Sequence, residues 1–295
     1  MKFSFLLQAK PVYFLFVFVT ALNSSAQNFT TIKSADGIEI QDNGKKVLFY
    51  QSRPKSLNGK YERAGYIHPL YSLKENVLTE DFPEDHPYHH GIFWTWHQVV
   101  LKNKMIADGW VSDSISWKVN NVNVKKDKKK ISLISDVVWR AGAIPGKQKE
   151  IIKENTTITV FAQTANQRII DFDIHLYALL DSLKIGGSDD VKGYGGFCLR
   201  LRLPADIEFV SNDSLITPSE TAVTAGHSMD FRGSFDGIGF PKTGITLLTE
   251  PIGTDPQQSW ILRKQGSMQN IVYPGRVPVL LSKKGLRMRY RLVIH

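Results

Sequence analysis

The chain has a single cysteine in 295 residues. Cys198 can form no internal disulfide, so the fold must rest on its hydrophobic core. It alternates with apolar neighbours and has no activating partner nearby in sequence, so it reads as a buried, inert thiol. Helical periodicity is also missing: no window longer than about ten residues repeats every 3.6. There is no Gly-x-Ser-x-Gly elbow, no His-Glu-x-x-His and no dinucleotide fingerprint, which argues against serine hydrolases, zincin proteases and Rossmann oxidoreductases. Gly193-Tyr194-Gly195-Gly196 lacks the Lys-Ser/Thr ending and the strand-to-helix context of a phosphate loop. It reads instead as a bulge or a close backbone approach. No internal repeat, low-complexity tract or linker is present, and no motif asks for a cofactor.

Long apolar runs are equally scarce. The one run, Val12 to Leu22, follows Lys2 and Lys10 and precedes Asn23-Ser24-Ser25-Ala26. This is the pattern of a secretory signal peptide cleaved after Ala26. The run falls short of the roughly 20 apolar residues of a comfortable membrane span; an uncleaved anchor is the rival reading. The expectation is one domain over residues 27–295, periplasmic or secreted, with no membrane contact after cleavage. The net charge of +9 falls to +7 without Lys2 and Lys10. Much of it sits in Lys125-Lys126-Asp127-Lys128-Lys129-Lys130, which reads as a charged hairpin tip. The interleaved aromatics of a nucleic-acid groove are absent, so no nucleic-acid partner is expected.

What is plentiful is strand pattern. Asp42-Asn43-Gly44 is a hairpin turn signal between two apolar runs. Ile170, Phe172, Ile174 and Leu176 alternate with Asp171, Asp173, His175 and Tyr177. Phe197 to Leu203 and Leu286 to Ile294 repeat the pattern with arginines on the alternate positions. Successive strand side chains point to opposite faces. The fold class is therefore all-β: a large antiparallel two-sheet sandwich, with room for a concave ligand-binding face.

Chemistry concentrates at Glu84-Asp85-His86-Pro87-Tyr88-His89-His90-Gly91 and the strand that follows. Four of the eight histidines fall between His86 and His97. Pro87 disfavours helix at His86, so the segment reads as a loop feeding a strand. In that strand Ile92, Trp94 and Trp96 share one face and Phe93, Thr95 and His97 the other. Three readings stand. His89 and His90, oriented by Asp85, could do acid/base work on a sugar stacked on Trp94. His86, His89 and His90 could hold a metal, although their spacing matches no tight signature. Or the histidines and acids could simply knit a long loop. Further candidates for substrate binding are His68, His86, Tyr194, Arg200, Asp230, Trp260 and Arg263.

The blocks His68-Pro69-Leu70, Asp85-His86-Pro87-Tyr88-His89-His90-Gly91-Ile92-Phe93, Gly193 to Arg200, Asp230-Phe231-Arg232-Gly233 and Trp260-Ile261-Leu262-Arg263 occur in order. Together, over roughly Gly65 to Tyr273, they resemble the PmoA-like family of exported bacterial proteins of uncharacterised function. The family's methane-oxygenase name does not suit a chain with no span after its signal peptide. The resemblance implies a galactose mutarotase-like supersandwich and a carbohydrate ligand. The chain departs from the family pattern at Thr249-Glu250-Pro251, where an acid-His-Pro run is expected. It departs again at Leu78-Thr79-Glu80-Asp81, where an arginine is expected. The expected protein is a carbohydrate-active enzyme doing His/Asp acid-base chemistry on a glycoside or keto-sugar, as an epimerase, lyase or hydrolase. The alternatives are a non-catalytic carbohydrate-binding sandwich and a metal-dependent enzyme.

Overall fold

The computed structural model describes residues 28–142, 148–252 and 257–295. The expected signal peptide lies outside them. Among the described residues there is no helix, and every paired strand runs antiparallel to its neighbour.

Two nine-stranded sheets make the body of the fold. The front sheet runs Phe29–Lys33, Gly37–Asp42, Lys45–Gln51, Tyr66–Leu70, Ile92–Thr95, Gly196–Leu199, Gln269–Val272, Gln258–Ile261 and Val223–Ala225. The back sheet runs Ile115–Lys126, Lys130–Ala141, Lys149–Phe161, Arg168–Ala178, Leu286–Ile294, Thr243–Thr249, Ser228–Gly233, Glu208–Ser211 and Ser214–Leu215. Local chemistry explains several joints. Asn43 and Gly44 both adopt positive φ, at 52° and 79°, as a two-residue hairpin loop requires. The lysine-rich tip is closed by Asp127, whose Oδ1 accepts the backbone N–H groups of Lys129 and Lys130.

The core lies between the two sheets. Ile170, Phe172, Ile174 and Leu176 point into it from the back sheet, as the alternation predicts. Phe197 meets them from the front sheet, stacked on Tyr290 with centroids 4.2 Å apart and edge-on to Phe172 at 5.2 Å. Removing one such aromatic costs about 3–5 kcal/mol.

Trp94 belongs to this core, which corrects its assignment as a sugar platform. It is 1% exposed, and its indole N–H donates to Glu154 Oε2 at 3.0 Å. Glu154 is itself fully buried and also accepts from Trp139 Nε1 and Thr156 Oγ1. Trp260 is corrected in the same way. It is 0% exposed, donates to the Gly226 carbonyl and packs edge-on to Phe231. Neither ring can meet a solute.

The front sheet is also covered on its other face. Tyr66, Phe93, Trp110, Cys198, Ile261 and Met268 form a second apolar cluster there. Cys198 lies in it, and burial pushes its thiol pKa up, as expected of an inert cysteine.

Candidate functional site

The cover over the front sheet begins with residues 71–91. Backbone hydrogen bonds zip this loop to the chain beyond Gly196–Leu199: Arg202 N to Leu78 O, Glu80 N to Arg200 O, and Arg200 N to Gly91 O at 2.7 Å. Turns from Pro83 O to His86 N and from His86 O to His89 N then coil the histidine block on itself. Gly91 must be glycine, because a Cβ there would meet the Ile67 carbonyl oxygen at 2.2 Å.

Three aspartate–histidine pairs result. Asp85 Oδ2 takes His86 Nδ1 at 2.8 Å, Asp81 Oδ1 takes His90 Nδ1 at 2.8 Å, and Asp108 Oδ2 takes His97 Nδ1 at 2.9 Å. Burial alone would raise the Asp85 carboxyl. Hydrogen bonds from His86 and Arg200 outweigh it and hold the group below its ordinary range. An ionised carboxylate only accepts, so His86 donates through Nδ1, and Nε2 becomes the lone-pair nitrogen of the neutral ring.

The pairs differ in access. His86 is half-buried and lines a cleft. His90 is 1% exposed, caged by Tyr66, Phe82 and Phe93, and lines no cleft described here. Burial drives its pKa down against the pull of Asp81. Asp81 also binds Lys55 and the Tyr66 hydroxyl, so His90 belongs to a rivet that fixes the loop. This corrects two assignments: His90 is not positioned for catalysis, and Asp85 orients His86 rather than His89 or His90.

The cleft has a volume of about 310 Å³. His86, Tyr88 and His89 line it from the histidine loop, Trp110 from a second loop, Lys192 and Tyr194 from a third, and Arg263 and Gln265 to Met268 from a fourth. His89 stacks on His86 with centroids 4.8 Å apart and planes 1° from parallel. It is 2% exposed, and burial lowers its pKa to about 2, so its ring is neutral at any ordinary pH. Its Nδ1 finds no hydrogen-bond partner. Burial pushes the Tyr194 hydroxyl up to about 12, which keeps it a donor near neutrality. Trp110 is held against His97 on one side and Tyr194 on the other.

Arg200 braces the mouth. Its side chain is 3% exposed, and it donates from Nε to Glu80 Oε2 at 2.8 Å and from Nη2 to Asp85 Oδ1 at 2.7 Å. Gly266 closes against the same carboxylate; a Cβ there would lie 2.9 Å from Asp85 Oδ2. A second groove, about 330 Å³, runs along Glu80, Arg200 and Lys264 and shares Gln265 and Gly266 with the cleft.

The structure therefore brings together His86, His89, Tyr194 and Arg263, with Asp85 and Arg200 as their supports. It leaves His68 aside, hydrogen-bonded to Thr79 Oγ1 and lining a different groove with Lys55 and Pro69. Asp230 is corrected outright. It sits in Ser228–Gly233 of the back sheet, bonded to His295 Nε2 and Thr246 Oγ1. Sequence reasoning passed over Tyr88, Trp110 and Lys192 as lining residues, and the Asp108–His97 pair. Only His97 carried a signal, through its alternation with Phe93. Among the described residues no three His, Cys, Asp or Glu side chains are grouped so as to hold a metal ion.

These features define, over the described residues, an antiparallel all-β protein built on two large sheets, with a loop-built histidine cleft on one outer face. The chain belongs to the DUF6807 family, a family of unknown function, whose model matches residues 37–295. No curated protein matches it. A crystal structure of a GalM/aldose epimerase homologue from C. elegans is similar over 92% of this chain and 99% of that one. The identity is 12% and the TM-score 0.28, a likeness too slight to carry an argument about the site.

Proposed function

We propose that this chain is an exported, PmoA-like protein that binds a carbohydrate in the histidine cleft and acts on it by proton transfer, with His86 as the acid/base group. The carrying observation is the Asp85–His86 pair, braced by Arg200, at a cleft walled by Tyr88, Trp110 and Tyr194. Aromatic faces with hydroxyls and an amide around them suit a sugar ring, which has apolar faces and a polar rim. Neutral His89 and protonated Tyr194 would donate to sugar oxygens.

The arrangement favours epimerisation or elimination over hydrolysis by two carboxylates. That mechanism needs two carboxyl groups flanking one bond. Among the described residues no Asp or Glu lines the cleft, and Asp85 is committed to His86 and Arg200.

The test is a panel of aldoses, keto-sugars, uronates and glycosides, screened for binding and turnover with wild type and His86→Asn. Loss of general acid/base catalysis costs about 10²–10⁴ in rate. Turnover by His86→Asn at the wild-type rate would overturn the role of His86. Binding without any turnover by wild type would make the chain a carbohydrate-binding sandwich. The low pKa of His89 favours that second reading, since it removes one histidine of the cleft from acid/base work.

A further inference from the structure

The cleft is electrically lopsided. Among the described residues two cationic side chains, Lys192 and Arg263, line it, and no carboxylate does. The ammonium group of Lys192 makes no hydrogen bond or salt bridge with the described residues. The nearest acid in sequence, Asp190, feels the Lys192 charge but forms no salt bridge with it: its Oδ1 accepts from the Ser188 hydroxyl and the Lys192 backbone N–H. Arg263 is fixed by carbonyls and makes no salt bridge with the described residues, although the Glu220 charge acts on it. Its Nη1 donates to the carbonyls of Ser219 and Leu262, and its Nη2 to that of Glu220. At the other end Glu80 and Asp85 share Arg200, so the negative charge collects there. His89, nearly fully buried, also lines the cleft, and its buried Nδ1 has no partner.

An uncharged sugar would cover these cations without pairing them, and covering an unpaired charge is costly. An anionic group would pair them and supply an acceptor for a neutral imidazole N–H. Building on the carbohydrate reading above, we propose that the ligand is an acidic sugar, its carboxylate or phosphate held by Lys192 and Arg263. The acid/base pair of Asp85 and His86 then faces the opposite part of the ring.

The test is calorimetric titration of wild type and Lys192→Met. The probes are three uronic acids, their parent aldoses, the matching sugar 6-phosphates, acetate and inorganic phosphate. At least one acidic sugar should bind wild type about tenfold or more tighter than its parent aldose. Lys192→Met should lose about tenfold on that acid and nothing on the aldose. Whether uronate or phosphate wins identifies the anion. Parent aldoses binding as tightly as their acids would overturn this inference and leave the carbohydrate reading standing. Acetate or inorganic phosphate binding as tightly as any acidic sugar would keep the anion cradle and remove the sugar. An acidic sugar that binds wild type and Lys192→Met equally would overturn the assignment to Lys192, as would silence from every probe.

Discussion

The outer faces of the two sheets invite comparison, because each holds a depression lined by charged side chains. The back sheet holds the larger one, about 650 Å³, lined by Asp171, Asp173, Glu250, Arg287, Arg289 and Arg291. There every arginine meets an acid across the strands: Arg291 with Asp171, Arg287 with Asp173, Arg289 with Glu250. All are substantially exposed. The front-sheet cleft is smaller, yet its His86 is braced by Asp85 and its Lys192 and Arg263 form no salt bridge with the described residues. Size separates the two less well than satisfaction does. A solvated ladder with each charge paired has little left to offer a ligand, whereas a cleft with donors to spare does.

The comparison can be broken first by activity. His86→Asn should lose about 10²–10⁴ in turnover of whatever sugar the panel identifies, while Arg289→Gln should change it less than about twofold. Equal losses would make the back-sheet groove part of the site. Stability gives the next contrast. Arg200→Met removes a buried guanidinium that two part-exposed carboxylates depend on, and should cost about 2–3 kcal/mol in urea unfolding. Arg291→Met, on the exposed ladder, should cost no more than about 1 kcal/mol.

A pH titration sharpens the same point. His89 is neutral when folded, with its pKa lowered to about 2 from an unfolded 6.5. The unfolded chain therefore binds the extra proton between those values. Stability should be full above pH 6.5 and fall as the pH drops below it, by up to about 1.4 kcal/mol per pH unit for this group. His89→Gln should flatten that slope. A slope unchanged in the variant would show that His89 is not desolvated in solution. The smallest effect belongs to the aromatic wall. Tyr88→Ala should weaken sugar binding by about tenfold or less, since the loss is one ring's contact, about 0.5–1.5 kcal/mol.

Much of the architecture was legible because strand alternation is a direct print of burial. Ile170 to Tyr177 and Leu286 to Ile294 sort correctly into core and outer faces. In Ile92–Thr95 the same rule sorts the residues into two sets but cannot say which set meets water. Loops cover the outer face as well, so all four are buried, and Trp94 turns out to be core. The site was half legible. The density of histidines marked the loop, but the turns at Pro83 and His86 decide which acid meets which imidazole. No local pattern encodes that choice. Leu78-Thr79-Glu80-Asp81, read as a departure from a family pattern, supplies the partners of Arg200 and His90. Trp110 and Lys192 reach the cleft from loops far apart in sequence, where a lone aromatic or lysine carries no signal.

The histidine loop owes its position to backbone zipping, the Asp81 rivet and Arg200. The remaining walls come from three other loops, one of which packs Gly266 against Asp85. If the proposed function holds, exchanging the residues at 192 or 263 would retune which ligand enters while the Asp85–His86 pair keeps its own anchors, so one scaffold could serve a series of ligands.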